Sequence, residues 1–599
     1  MSSVPERGEI DAAHKWDLAD IYPSDEAWEA AFADVSERVP DIAAYEGRLI
    51  ESAATLLEGL ETHEDVMRDV ARVATYAQLR ASEDTRVDEY QGMVSRAEAL
   101  SARASSAASY IEPELQDLDE ATFEAYVEAE PALAEYGFLV ADARRMRPHT
   151  RSPEVEELLA DLSDVTDAAS DVYSMLTNAD MTFPSVERPD GEAVEITLGN
   201  FTTLQKHPVR GFRREVHDAF YDRWAEVHNA VGTALRKSVT ADVRLASARD
   251  YGTAREAALD GPNVPVGVYD TLVETVDDNL DALHRHADLK RAALDVEDLR
   301  PWDLYASTTG DDPPEIPYGD AVDYVIEAVA PLGEEYQSRL AEGLDSRWVD
   351  VYENRGKRSG AFSSGTYDTQ PFVLMNYQDD VASLFTLAHE LGHSMHSLLA
   401  NEAQPWQYSD YEIFVAEVAS TVNETLLTGH LLETVEDDRF RWHVLDEYLE
   451  RVRSTLFRQT MFADFELAVH EVVEDEGGLT PDRLDELYRE RKARYWAPAP
   501  LDDRIAREWM RIPHFYMGYY VYQYATGISA ATAIVERIRG GDADAAADYL
   551  DALRMGGSAY PLEVLDVAGV DMTSPAPVEA AIDVYADRLD DLAALLDAD

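Results

Sequence analysis

Apolar residues recur three and four positions apart through most of this 599-residue chain, the spacing of one face of an α-helix. The positions between them are filled mainly by Ala, Leu, Glu and Arg, all good helix formers. A chain so patterned is expected to be mainly α. Ser24 followed by Asp25 and Glu26 reads as an N-cap with an acidic first turn. Similar segments run to about residue 180, broken by short turns. No repeat of fixed period appears, so a solenoid is not expected. The pattern changes between Met181 and Gly199, where Pro189-Asp190-Gly191 signals a turn and Ala193 to Leu198 alternates like a strand. A boundary is therefore placed near residue 200, dividing a helical N-terminal region (1–200) from a second region (201–599). Prolines 301, 313, 314 and 317 mark a long loop, and Pro371 to Asn376 reads as a short strand. Asp379 and Asp380 can cap a helix from about Val381 to Ala400.

Charge narrows the partners. Acidic residues number 119 against 51 basic ones, a net charge of −68. Such a field repels phosphate backbones, so no nucleic-acid partner is expected. Lysine occurs only at Lys15, Lys206, Lys237, Lys290, Lys357 and Lys492. An acidic, lysine-poor composition spread from end to end matches a salt-rich, halophilic setting, where counterions screen self-repulsion. Cysteine is absent, which excludes disulfides, zinc fingers, iron–sulfur clusters and thiol nucleophiles; any metal is expected on His, Asp or Glu. No basic start with an apolar run and no span of about 18 apolar residues is seen, so a cytoplasmic protein without a membrane partner is expected.

One segment carries chemistry. His389-Glu390-Leu391-Gly392-His393 lies in the helix expected from Val381. Residues four apart project from one helix face, so both imidazoles can meet one zinc ion, with Glu390 beside them to address a water. Leu384, Leu387, Leu391, Met395 and Leu398 form the apolar stripe that buries this helix. A histidine pair among them needs a partner, and a metal provides one. His396 stands about 10 Å along the axis from His389, too far to share the ion; it is read as a supporting or lining residue. The better third ligand is Glu417, a lone carboxylate in the apolar run from Phe414 to Thr421, which needs a cation or a proton if buried. Glu424 either orients a zinc-bound histidine or lies on the helix surface. Further on, His514 is followed by Tyr516, Tyr519, Tyr520, Tyr522 and Tyr524. Tyr516, Tyr519 and Tyr522 could line one side of a helix, and a Tyr or His placed over the metal could stabilise an oxyanion.

Together these residues resemble the thimet-oligopeptidase family of zinc peptidases, and within it the oligoendopeptidase F group. The likeness rests on the zinc motif with His396 beyond it, Phe414-Val415-Ala416-Glu417, His514 with Tyr519 to Tyr522, Gly356 to Ala361, the strand through Asn376, and Trp16-Asp17-Leu18. It implies a large helical body enclosing a deep substrate channel, covered by the N-terminal region, with a small sheet beside the site. It implies one Zn2+ per chain on His389, His393 and Glu417, Glu390 activating water, and transition-state contacts from His514, Tyr522 and Tyr519. The expected activity is endopeptidase cleavage of short unstructured peptides by a monomer or homodimer. Two other readings remain open: a zinc carboxypeptidase, and a non-catalytic peptide-binding protein with a structural metal. The strand from Phe372 to Asn376 is expected to pair with an extended peptide.

Overall fold

The computed structural model of the chain describes residues 4–309, 313–475 and 477–598. Among the described residues helices dominate, and the strands form only two small sheets. The mainly α expectation holds. The chain folds as two compact units, each drawn from separated segments. The first comprises Met1–Pro148, Glu315–His430 and Ile534–Gly569; the second comprises His149–Pro314, Leu431–Ala533 and Val570–Asp599. This division rests on compactness, a different criterion from the change of pattern near residue 200.

In the first unit, α1 (Asp25–Ile42), α2 (Ala53–Glu83) and α3 (Asp88–Ala108) pack side by side. Ser24 caps α1 by accepting the Ala27 N–H, as its sequence predicts. Trp28, Ile42, Leu56, Val73 and Leu100 are wholly buried between these helices. The Trp28 indole is not left unpaired there, since its N–H donates to the Val73 carbonyl at 2.8 Å. Phe372 and Leu374 join the same core from a three-stranded sheet. That sheet contains β1 (Val349–Asp350), β2 (Phe362–Ser364) and β3 (Phe372–Leu374), in the order β1-β3-β2.

β3 is therefore the central strand, parallel to β1 and antiparallel to β2. Both its edges are occupied, so the expectation that this strand pairs with a peptide is corrected. The edge strands are β1 and β2. Behind the sheet, Lys357 is buried with its Nζ 2.6 Å from Asp350 Oδ1, and Arg7 grips the same carboxylate. Asp17 N–H donates to the Arg347 carbonyl. These bonds tie the segment around Trp16 to the glycine-punctuated stretch after Trp348.

The second unit contains the hairpin signalled by Pro189-Asp190-Gly191. Ser185–Glu187 pairs with Ala193–Glu195, and Gly191 takes the positive φ (+89°) its turn requires. Helix Arg210–Glu226 packs against its first strand, and His228–Ala248, Val266–Asp278 and Pro481–Tyr495 are among the other helices of the unit. No described helix is long and apolar enough to cross a membrane.

Candidate metal centre

The zinc-motif helix, α4 (Val381–Ala403), begins where the sequence predicts. Asp380 caps it, its carboxylate accepting the Ser383 N–H at 2.8 Å. Leu384, Phe385, Leu387, Leu391 and Met395 are fully buried and fix the helix by its apolar face. α5 (Ile413–Thr434) crosses it. The crossing is close because of Gly392: a Cβ there would lie 2.6 Å from the Ala419 carbonyl oxygen and the Ser420 Cα. No residue larger than glycine fits unless the two backbones separate. Asn423 bridges the same crossing by donating to the Ala388 carbonyl. This contact was not read from the sequence, although a glycine inside an apolar helix was its visible signal.

The crossing brings Glu417 opposite the two histidines. His389 Nε2 and His393 Nε2 are 3.2 Å apart, and Glu417 Oε2 lies 3.6 Å from the first and 3.9 Å from the second. The point equidistant from the three atoms is about 2.1 Å from each, the bond length zinc makes to imidazole nitrogen and carboxylate oxygen. The donor set thus fits a zinc-sized ion. Among the described residues this is one of two groups of His and acidic side chains close enough to hold a metal. The other, His217, Asp218 and Asp502, already has Arg504 beside Asp218.

Neighbouring groups orient these side chains. Glu424 is buried, and its Oε1 accepts the His389 Nδ1 proton at 2.6 Å. That bond directs the Nε2 lone pair toward Glu417 and decides the alternative left open for Glu424. His393 is held through its ring by the Ala416 backbone, and burial followed by the nearby His389 lowers its pKa to about 3, so it is neutral. Burial pushes the Glu390 carboxyl up to about 7; Glu417 adds to the rise, while His389 and the Ser363 backbone N–H oppose it. The Ser363 contact aims the edge strand β2 at Glu390. Ser363 and Ser394 are hydroxyl-bonded at 2.8 Å, which fastens that strand to α4. His396 is 1% exposed and stacks on Tyr411 with ring centres 3.5 Å apart. It therefore supports the helix and does not line an open wall.

His389, Glu390, His393 and Glu417 are thus brought together in the first unit. His514, Tyr519 and Tyr522 belong to the second. There the expected helix through Tyr516, Tyr519 and Tyr522 does not form. His514 lies in the short turn Pro513–Tyr516, and a helix starts only at Tyr522. Between them Tyr519 takes a left-handed φ of +57° and breaks the periodicity. Its N–H donates to Glu466 Oε1 at 2.8 Å, from a buried carboxyl on α6 (Arg458–Asp475). Tyr522 is 2% exposed and lies against Tyr269, whereas His514 is part-exposed. Tyr516 stacks on Tyr173 with ring centres 4.5 Å apart.

Known proteins share this arrangement of chain. A model of peptidase family M3 matches residues 203–584, and one described as oligopeptidase F matches residues 114–183. Oligopeptidase PepF of Bacillus subtilis is 43% identical over 99% of this chain and 89% of its own length. Group B oligopeptidase PepB of Streptococcus agalactiae is 40% identical over 98% of each. The crystal structure of oligoendopeptidase-F from Enterococcus faecium superimposes with a TM-score of 0.75 at 34% identity, covering 96% of this chain and all of that one.

Proposed function

Because this chain belongs to peptidase family M3, we propose that it is a zinc-dependent endopeptidase cutting internal bonds of short, unstructured oligopeptides. The observation that carries the reading is the convergence of His389, His393 and Glu417 on one zinc-sized point with Glu390 adjacent. Relatives named oligopeptidases across nearly the whole length support the substrate class. In this reading His389, His393 and Glu417 hold one Zn2+. Zinc supplies a Lewis acid that lowers the pKa of water to about 7 and polarises a carbonyl.

The remaining work falls to the chain. Glu390, with a pKa near neutrality, takes a proton from the attacking water and returns it to the departing amine. Glu424 keeps His389 in the tautomer that leaves Nε2 free. His514, Tyr522 and Tyr519 are assigned hydrogen bonds to the oxyanion. The outer edge of β2 offers main-chain groups to an extended peptide, a mode of binding that does not depend on particular side chains. Residues 201–599 form the catalytic region and 1–200 the region covering the substrate, in a cytoplasmic, salt-adapted protein.

The test is digestion of peptides of graded length, with and without a chelator, read by mass spectrometry. The proposal expects chelator-sensitive internal cuts in short peptides and none in folded proteins. Stepwise trimming from the C-terminus would instead identify a carboxypeptidase. Binding without cleavage would identify a peptide-binding protein.

A further inference from the structure

A second buried cluster, in the second unit, has a charge balance the peptidase reading does not use. Glu508 is 1% exposed. Lys492 Nζ lies 2.6 Å from its Oε2, and the Tyr488 hydroxyl donates to the same oxygen at 2.8 Å. Arg458 Nη2 donates to Oε1 at 2.9 Å, and Arg511 Nη2 stands 3.4 Å from it. Both carboxylate oxygens are satisfied, but the charge is not: three cations face one anion. Arginine stays protonated throughout the accessible pH range. Even with Lys492 set aside, the cluster keeps a surplus positive charge, and charge removed from water without a counterion is costly.

The carboxylate of Glu450 does not supply the missing anion. Glu450 is already shared by Lys290 at 2.6 Å and Arg453 at 2.8 Å. Donors are left over as well. Arg458 Nε and Arg511 Nε are buried and have no protein acceptor. Arg511 Nη2 also donates to the Tyr305 hydroxyl at 2.8 Å. Burial raises the Tyr305 pKa, yet Arg458 and Arg511 outweigh it and hold the phenol below its ordinary value. The side chains of Arg458 and Arg511 are 17% and 12% exposed, so both touch solvent although their Nε atoms are buried. In a chain of net charge −68 this is a local inversion of sign.

We infer that Arg458 and Arg511, with Lys492 behind them and Tyr305 beside them, bind a small monovalent anion, a halide ion or a peptide carboxylate. A halide or one carboxylate oxygen matches the surplus charge and accepts the unused guanidinium N–H groups. The inference is independent of the peptidase reading, since it is tested by binding alone.

Full-length protein is held at fixed ionic strength with a bulky sulfonate salt, which is replaced stepwise by chloride. Chlorine NMR line width and melting temperature are followed, with acetate as competitor. Saturable broadening that acetate displaces is expected. Acetate displacing chloride below the chloride concentration assigns the site to carboxylates; the reverse assigns it to halides. Arg458→Gln or Arg511→Gln, whichever retains native circular dichroism, should weaken binding about tenfold or more. Non-saturable broadening in the wild type overturns the inference. So does undiminished chloride binding in a folded arginine variant. A tyrosinate absorbance in the wild type that Tyr305→Phe abolishes also overturns it, because Tyr305 would then provide the missing charge.

Discussion

Glu390 shows what one residue owes to its surroundings. A glutamate in water is ionised well below neutrality, but here burial brings it to about 7, where it can both accept and release a proton. Glu390→Gln preserves shape and removes that capacity. It should retain wild-type zinc content and lose about 10²- to 10⁴-fold in peptide turnover, as measured by metal analysis and single-peptide kinetics. Turnover near wild type would remove Glu390 from its role. The identity of this residue was legible because histidines four apart, with a glutamate beside the first, form a local pattern. Its tuning was not. Ser363 contributes a backbone N–H to the carboxyl from a strand 27 positions earlier in the chain, and no periodicity encodes that contact. Glu424 was visible as a candidate, and only the 2.6 Å bond to His389 distinguishes it from a surface carboxylate.

At the scale of elements, the site depends on two helices crossing closely enough for ligands of both to share one point. Gly392 sets that distance. In Gly392→Ala the new methyl meets the backbone at Ala419 and Ser420, which cannot rotate away. The helices must separate, at a cost of about 1–3 kcal/mol in stability. Zinc affinity should fall at least roughly 10-fold, since ligand geometry is lost with the crossing. Thermal unfolding and zinc titration check this; wild-type affinity in the variant would show that the contact does not set the ligand geometry. Helix positions and caps were readable because they are local, as Ser24 and Asp380 illustrate. Two failures share a cause. β3 reads as a strand, but its central place in the sheet depends on β1 and β2, which only tertiary pairing reveals. The tyrosines after His514 have helical spacing, yet Glu466, some fifty positions earlier, holds Tyr519 in a left-handed turn.

For the whole molecule, charge and protons set the working range. With a net charge of −68, self-repulsion grows as the screening length lengthens from about 3 Å at 1 M salt to about 30 Å at 0.01 M. The melting temperature should fall steadily over that dilution; constant melting would contradict the salt-adapted reading. Acid should destabilise the fold separately. Burial lowers the pKa of His286 to about 3, whereas in the unfolded chain a histidine titrates near 6.5. The unfolded state then binds the proton more readily, so this contribution is complete above pH 6.5. It is lost as pH drops toward 3, at about 1.4 kcal/mol per pH unit. Denaturant unfolding across that range, compared with His286→Gln, isolates it: the variant should show a shallower acid slope.

The most direct test of the central claim is zinc K-edge X-ray absorption on the purified protein, paired with Glu417→Ala. One zinc per chain is expected, with two imidazole nitrogens and a carboxylate oxygen at about 2.0–2.2 Å, and the carboxylate contribution should disappear in the variant. A spectrum unchanged by Glu417→Ala, or one lacking paired imidazoles, would contradict the account.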